Sequence, residues 1–169
     1  MGALGVMVPY VSTVAEARAA VQAMRYPPHG IRGVAKFNRG AGFGGDFEEY
    51  YAHAHERLLT VLQIETTEAI KNIEAIAAVD GADVLFVGPT DLSYNMGIRD
   101  QLENPTFIEA LRKVGDAAKH HGKAAGILVH NNALVPKVRD LGYTFTALGS
   151  DGGAVRAGLL GCAAALRGK

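Results

Sequence analysis

Short runs of consecutive apolar residues alternate along this chain with longer segments whose apolar positions recur every three to four residues. Residues 3–8 (ALGVMV), 59–64 (LTVLQI), 84–87 (VLFV), 124–129 (AAGILV) and 144–148 (TFTAL) read as strands. Residues 31–35 read as a weaker strand, interrupted by Gly33. Helical spacing occupies residues 14–24, 46–58, 67–79, 105–119, 133–141 and 154–166. Asp46 stands where an N-cap belongs, and Glu68 falls in the first turn of its helix, where its charge favours the helix dipole. Strands that are apolar along their whole length are buried on both faces, so the alternation predicts a parallel sheet covered by helices. The expected architecture is α/β, of the (β/α)8 TIM-barrel type, in one partial barrel domain over residues 1–169. A complete barrel takes about 250 residues. The pattern supplies about six βα units, so the expectation is a barrel whose first two units are missing.

Composition narrows the function classes. Lys and Arg number 17 and so do Asp and Glu, which argues against a nucleic-acid partner held by a general basic field. A single cysteine, Cys162, excludes an internal disulfide framework and a cysteine-based zinc cluster; it sits in an Ala-rich helical segment and is expected in the core. An apolar fraction of 49% argues against disorder. No apolar run reaches the roughly 18 residues of a membrane span. No basic stretch precedes the first apolar run, so neither a signal peptide nor a membrane partner is expected, and a cytoplasmic setting follows.

In parallel α/β folds chemistry gathers at the carboxyl ends of the strands. The residues there are Pro9-Tyr10, Lys36, Gln63 and Glu65, Asp91, His130, and Ser150-Asp151. Glu65 and Asp91 follow consecutive strands, so parallel pairing would set the two carboxylates side by side, a donor pair suited to Mg²⁺ or Mn²⁺. Each also has a local reading: Asp91 as the cap of a helical turn, Glu65 as a favourable charge at a helix start.

Gly40, Gly42 and Gly45 match G-x-G-x-x-G, with Glu65 twenty residues beyond, which raises the alternative of an NAD-dependent dehydrogenase. Against it, the preceding strand carries Arg32, Gly33 and Lys36, and Asn38 and Arg39 intervene before the glycines. A Gly-rich loop is the favoured reading. Lys36 reads as solvated or ion-paired rather than as a Schiff-base lysine. His53 and His55 are two apart on a helix and face different directions; His120 and His121 suit a helix C-terminus; His130 alone follows a strand.

Gln63-Ile64-Glu65-Thr66, followed by Gly88-Pro89-Thr90-Asp91-Leu92-Ser93, resembles the signature of the HpcH/HpaI aldolase/citrate lyase family. Arg25-Tyr26-Pro27-Pro28-His29-Gly30-Ile31-Arg32-Gly33 resembles that family's RYPPxGxRG segment, and Gly126-Ile127-Leu128 also fits. The resemblance covers nearly the whole chain and is strongest to the pyruvate-dependent, metal-requiring aldolase branch. It implies a carbon–carbon lyase that cleaves 4-hydroxy-2-oxo acids reversibly to pyruvate and an aldehyde. It further implies a divalent metal (Mg²⁺, Mn²⁺ or Co²⁺) on Glu65 and Asp91, and pyruvate contacts from Gln63, Gly88, Pro89, Thr90 and Leu128. Thr90 stands where the family commonly has Ala. A homo-oligomer, a hexamer in the family, is implied as well. The family's catalytic histidine and pyruvate-binding arginine belong to its first strands, and none of the six histidines here aligns with that base. Met1-Gly2-Ala3 resembles the middle of a D-x-G-A segment that precedes a later strand. A non-catalytic fragment or partner subunit that binds metal or pyruvate is therefore a second expectation.

Overall fold

The computed structural model describes residues 2–130 and 132–168. Met1, the first residue of the D-x-G-A resemblance, lies outside them. Five strands form one sheet in the order β1 (Gly5–Val8), β2 (Leu59–Ile64), β3 (Val84–Val87), β4 (Ala124–Val129) and β5 (Tyr143–Leu148). Every neighbouring pair is parallel. Consecutive parallel strands joined through helices are the repeating unit of a (β/α) barrel, and the sheet here is open, with β1 and β5 at its edges.

The helices are α1 (Val14–Met24), α2 (Phe47–Arg57), α3 (Thr67–Lys71), α4 (Ile73–Ala77), α5 (Pro89–Asn95), α6 (Pro105–His120), α7 (Leu134–Asp140) and α8 (Asp151–Leu166). Strand residues alternate between two faces. Leu62, Ile64, Leu85, Val87, Ala125, Ile127 and Val129 point toward the helices and meet Ile73, Ile76, Leu92, Phe107, Leu111 and Val114 in the main core. Val61, Val84 and Phe86 form a smaller cluster on the opposite face, with Leu128 against it. Gly126 sits there because a Cβ would come within 2.6 Å of the Phe86 ring. Its absence lets Phe86 meet Phe145 edge-to-face across β4, ring centres 6.1 Å apart.

Four expectations are corrected. Residues 31–35 form no strand, so the sheet has five strands rather than six. The donors there are already engaged: Ile31 N–H bonds to Gln22 O and Arg32 N–H to Arg25 O, folding the segment back on the end of α1. The Arg32 guanidinium lies over the Tyr26 ring at 4.4 Å and donates to the Tyr50 hydroxyl. The helix expected over residues 67–79 is broken at Asn72, whose side chain reaches the Ser12 carbonyl at 2.9 Å. Asp46 occupies the N-cap position of α2 without a side-chain capping bond. Cys162 is exposed, because α8 buries none of its residues. Lys36 is ion-paired, 3.8 Å from Glu48, and rests over the Phe47 ring.

Candidate functional site

The loop after β1 and the turns after β2 and β3 converge at the carboxyl end of the sheet. Register places Gln63 beside Phe86 and Ile64 beside Val87, so Glu65 comes next to Gly88. Glu65 continues the alternation of Val61 and Gln63 and therefore lies on the face away from the helices. It is 2% exposed, and its Oε2 has no hydrogen-bond partner, the one such buried side-chain atom among the described residues. Gly88 makes this burial possible: a Cβ there would stand 2.6 Å from Glu65 Oε1 and 2.8 Å from its Cγ. Burial pushes the Glu65 carboxyl above its ordinary range and the charge of Asp91 pushes it further, while the Tyr10 backbone amide and the Gln63 side chain act the other way.

Asp91 lies in the first turn of α5, which Pro89 starts with its fixed φ. It is exposed and its Oδ1 accepts a hydrogen bond from the Tyr10 hydroxyl at 2.9 Å. That bond, together with the charges of Asp91 and Glu65, raises the phenol pKa and keeps Tyr10 a donor. Tyr10 has φ +54°, the left-handed region that non-glycine residues seldom occupy. Around it, Val11 N–H bonds to Gln63 O at 3.1 Å, and the Ser12 and Thr66 hydroxyls meet at 2.7 Å. Thr66, not Glu65, caps α3, and Gly88, not Asp91, holds the N-cap position of α5. Asp91 is therefore not the cap of its helical turn, while Glu65 directly precedes the N-cap of α3.

The site therefore holds an orphaned, buried carboxylate oxygen beside a second carboxylate whose other contact is a neutral phenol. Leaving two carboxylates together with one oxygen unpaired is costly without a counter-charge. An oxygen-only donor set of this kind fits a hard divalent cation.

The other residues singled out in the sequence divide. Gln63 is half-buried next to Glu65. Leu128 is half-buried on the same sheet face. Pro89 is buried and its ring faces an apolar gap lined by Phe107, Leu111, Ile127 and Val138, so its backbone is what it offers the site. Thr90 is exposed. His130 follows β4 and is exposed, whereas His29 stacks on His55 and His53 pairs with Glu56. Residues 39–44 form a 3-10 turn in which Gly42 and Phe43 are left-handed. No strand runs into it, so the strand–turn–helix context of a dinucleotide fingerprint is absent among the described residues. The bond from Tyr10 to Asp91 and the packing of Gly88 against Glu65 had no sequence argument of their own; Tyr10 was signalled only by its position just past a strand, and Gly88 only as a pyruvate contact implied by the family resemblance.

The profile of the HpcH/HpaI aldolase/citrate lyase family matches residues 1–157. The chain belongs to this family. A pyruvate aldolase from Rhizobium etli is 41% identical over 151 residues, covering 89% of this chain and 59% of the relative. A 5-keto-4-deoxy-D-glucarate aldolase from Klebsiella pneumoniae subsp. pneumoniae is 39% identical over 156 residues, covering 92% and 60%. A crystal structure of an HpcH/HpaI aldolase/citrate lyase family protein from Burkholderia cenocepacia superposes with a TM-score of 0.90 at 31% identity, over 98% of this chain and 66% of that one. The chain spans about three fifths of the length of the curated relatives it matches. All the family-like segments, from Arg25-Tyr26-Pro27-Pro28 to Gly126-Ile127-Leu128, fall inside the matched region.

Proposed function

We propose that this chain carries the metal- and pyruvate-binding part of an aldolase, one that cleaves 4-hydroxy-2-oxo acids to pyruvate and an aldehyde and runs in either direction. The observation that carries the reading is the partnerless Oε2 of buried Glu65 beside Asp91 at the carboxyl ends of β2 and β3. Glu65 and Asp91 would hold the divalent ion: Mg²⁺, Mn²⁺ or Co²⁺. When bound, the ion acts as a Lewis acid that stabilises negative charge developing on the 2-oxo oxygen.

The chain's own residues orient the rest. Gln63 donates its side-chain amide to the 2-oxo acid, the backbone at Gly88, Pro89 and Thr90 lines its carboxylate end, and Leu128 forms an apolar wall. Tyr10 holds Asp91 from the side, leaving its second oxygen for the ion. In the cleavage direction the C4 hydroxyl loses its proton, the C3–C4 bond breaks, its electron pair passes toward the 2-oxo group, and C3 is then protonated to give pyruvate. That chemistry needs a base. Of the histidines described, only His130 lies at this end of the sheet, and it is exposed. The 169-residue chain by itself is therefore expected to bind ion and pyruvate while turning over slowly. Homo-oligomerisation is part of the proposal, since exposed apolar residues line both sheet edges and α8.

Pyruvate titration of the chain with and without Mn²⁺ tests the reading. The expected result is pyruvate binding that requires the ion and is weakened at least several-fold by Gln63→Ala. Pyruvate affinity that is the same without ion and in Glu65→Gln would overturn it.

A further inference from the structure

On the outer layer, the start of α4 and the end of α6 bring three metal-ligating side chains together away from the site above. Glu74 lies in the first turn of α4. His120 is the last residue of α6 and His121 its C-cap. Glu74 and His120 are 46 residues apart in sequence, and their two helices pack on each other. His120 Nδ1 stands 3.3 Å and His121 Nε2 3.0 Å from the same oxygen, Glu74 Oε2. All three ligand atoms lie within 4.8 Å of one another.

We propose that Glu74, His120 and His121 form a second metal site, selective for a borderline divalent ion such as Zn²⁺, Ni²⁺ or Cu²⁺, that clamps α4 to the end of α6. The dimensions support it. A tetrahedral ion with bonds of about 2.05 Å has ligand–ligand edges of about 3.3 Å. The two nitrogen–oxygen separations, 3.3 and 3.0 Å, lie close to that length, so an ion needs only small side-chain rotations to be seated. The ligand types support it as well: two imidazoles and one carboxylate suit a borderline ion, whereas the oxygen-only pair Glu65 and Asp91 suits a hard one. The fourth vertex is left for water. His120 would ligate through Nδ1 and His121 through Nε2, so opposite tautomers of two adjacent histidines are required.

The two sites are at opposite ends of the sheet. His121 is followed by Gly122 and Lys123 and then by the first residue of β4, so the cluster sits where strands begin, whereas Glu65 and Asp91 sit where strands end. The second ion would therefore take no part in the chemistry at the first; it would fasten two outer helices over the core.

Zn²⁺ and Co²⁺ titration of the full chain, stripped of metal and held in excess Mg²⁺ to fill the oxygen site, tests this. The expected result is one equivalent of Zn²⁺ with a rise in thermal midpoint, and a tetrahedral visible spectrum with Co²⁺. Affinity should fall by about tenfold or more in Glu74→Gln and in the double variant His120→Asn/His121→Asn, and stay unchanged in His53→Asn and Glu65→Gln. Glu74 and His120 are exposed and His121 is half-buried, and circular dichroism verifies that the variants fold. Zn²⁺ binding that survives in the double variant, or that is lost in Glu65→Gln or His53→Asn instead, would overturn the proposal.

Discussion

At the scale of single residues, the site depends on who stands next to Glu65. Its own legibility in the sequence was good, because a carboxylate that directly follows an apolar strand has only one end of the sheet to occupy, and Asp91 could be paired with it from strand succession alone. Tyr10 and Gly88 were not legible in the same way. Their roles arise from the register of β1 on β2 and β2 on β3, which is set by contacts across tens of residues. Glu74 with His120 and His121 escaped for the same reason: the histidines read locally as favourable charge at a helix end. Two substitutions follow. Tyr10→Phe removes the hydrogen bond to Asp91 Oδ1, and Mn²⁺ affinity should fall by about tenfold in calorimetric titration, as for other groups that orient metal ligands. Gly88→Ala forces a methyl group against the Glu65 carboxylate, so it should weaken Mn²⁺ binding and destabilise the fold by about 1–3 kcal/mol in urea denaturation.

At the scale of elements, strands and long helices were readable wherever periodicity was uninterrupted. Helix α6, with Asn104 capping it, Pro105 opening it and seven buried residues on one face, matches its expected span to within a residue. The misread segment 31–35 has strand-like Ile31 and Val34, but both remain exposed because its backbone bonds to the end of α1. Helix α5 was missed although Pro89 signals a helix start, since seven residues give too little periodicity to detect. Helix α1 carries a capping box in which Thr13 Oγ1 accepts from Glu16 N–H, and Glu16 Oε2 accepts from the Ser12 and Thr13 amides. The Ser12 amide is the main reason that the Glu16 carboxyl lies below its ordinary range. A lowered folded-state pKa stabilises above the unfolded value and is lost as pH falls through the folded one. Glu16→Gln should therefore flatten the acid limb of the thermal-midpoint profile below about pH 4, with little slope change at neutral pH. Thr13→Ala should cost about 1 kcal/mol at neutral pH.

At the scale of the molecule, the helix-side core is closed and the rest is not. Leu4, Val6 and Met7 at the β1 edge, Phe145 and Leu148 at the β5 edge, and Val155, Leu159, Leu160 and Leu166 on α8 are all exposed. Unpaired strand edges and a helix without a buried face favour association. Light scattering of the purified chain should show oligomers or aggregates, and a monodisperse monomer across micromolar concentrations would contradict this. The barrel type was legible because fold class follows from alternation of strand and helix, which survives errors in any one unit. The exposure of Cys162 was not, because an Ala-rich helix looks the same whether or not it has something to pack against.

The central claim is that Glu65 and Asp91 form a site for a hard divalent cation, and Mn²⁺ binding measured by calorimetry tests it most directly. The account predicts Mn²⁺ binding at this pair that is lost, by at least about tenfold, in both Glu65→Gln and Asp91→Asn while circular dichroism is unchanged. Mn²⁺ affinity equal to that of the parent chain in either folded variant would contradict it.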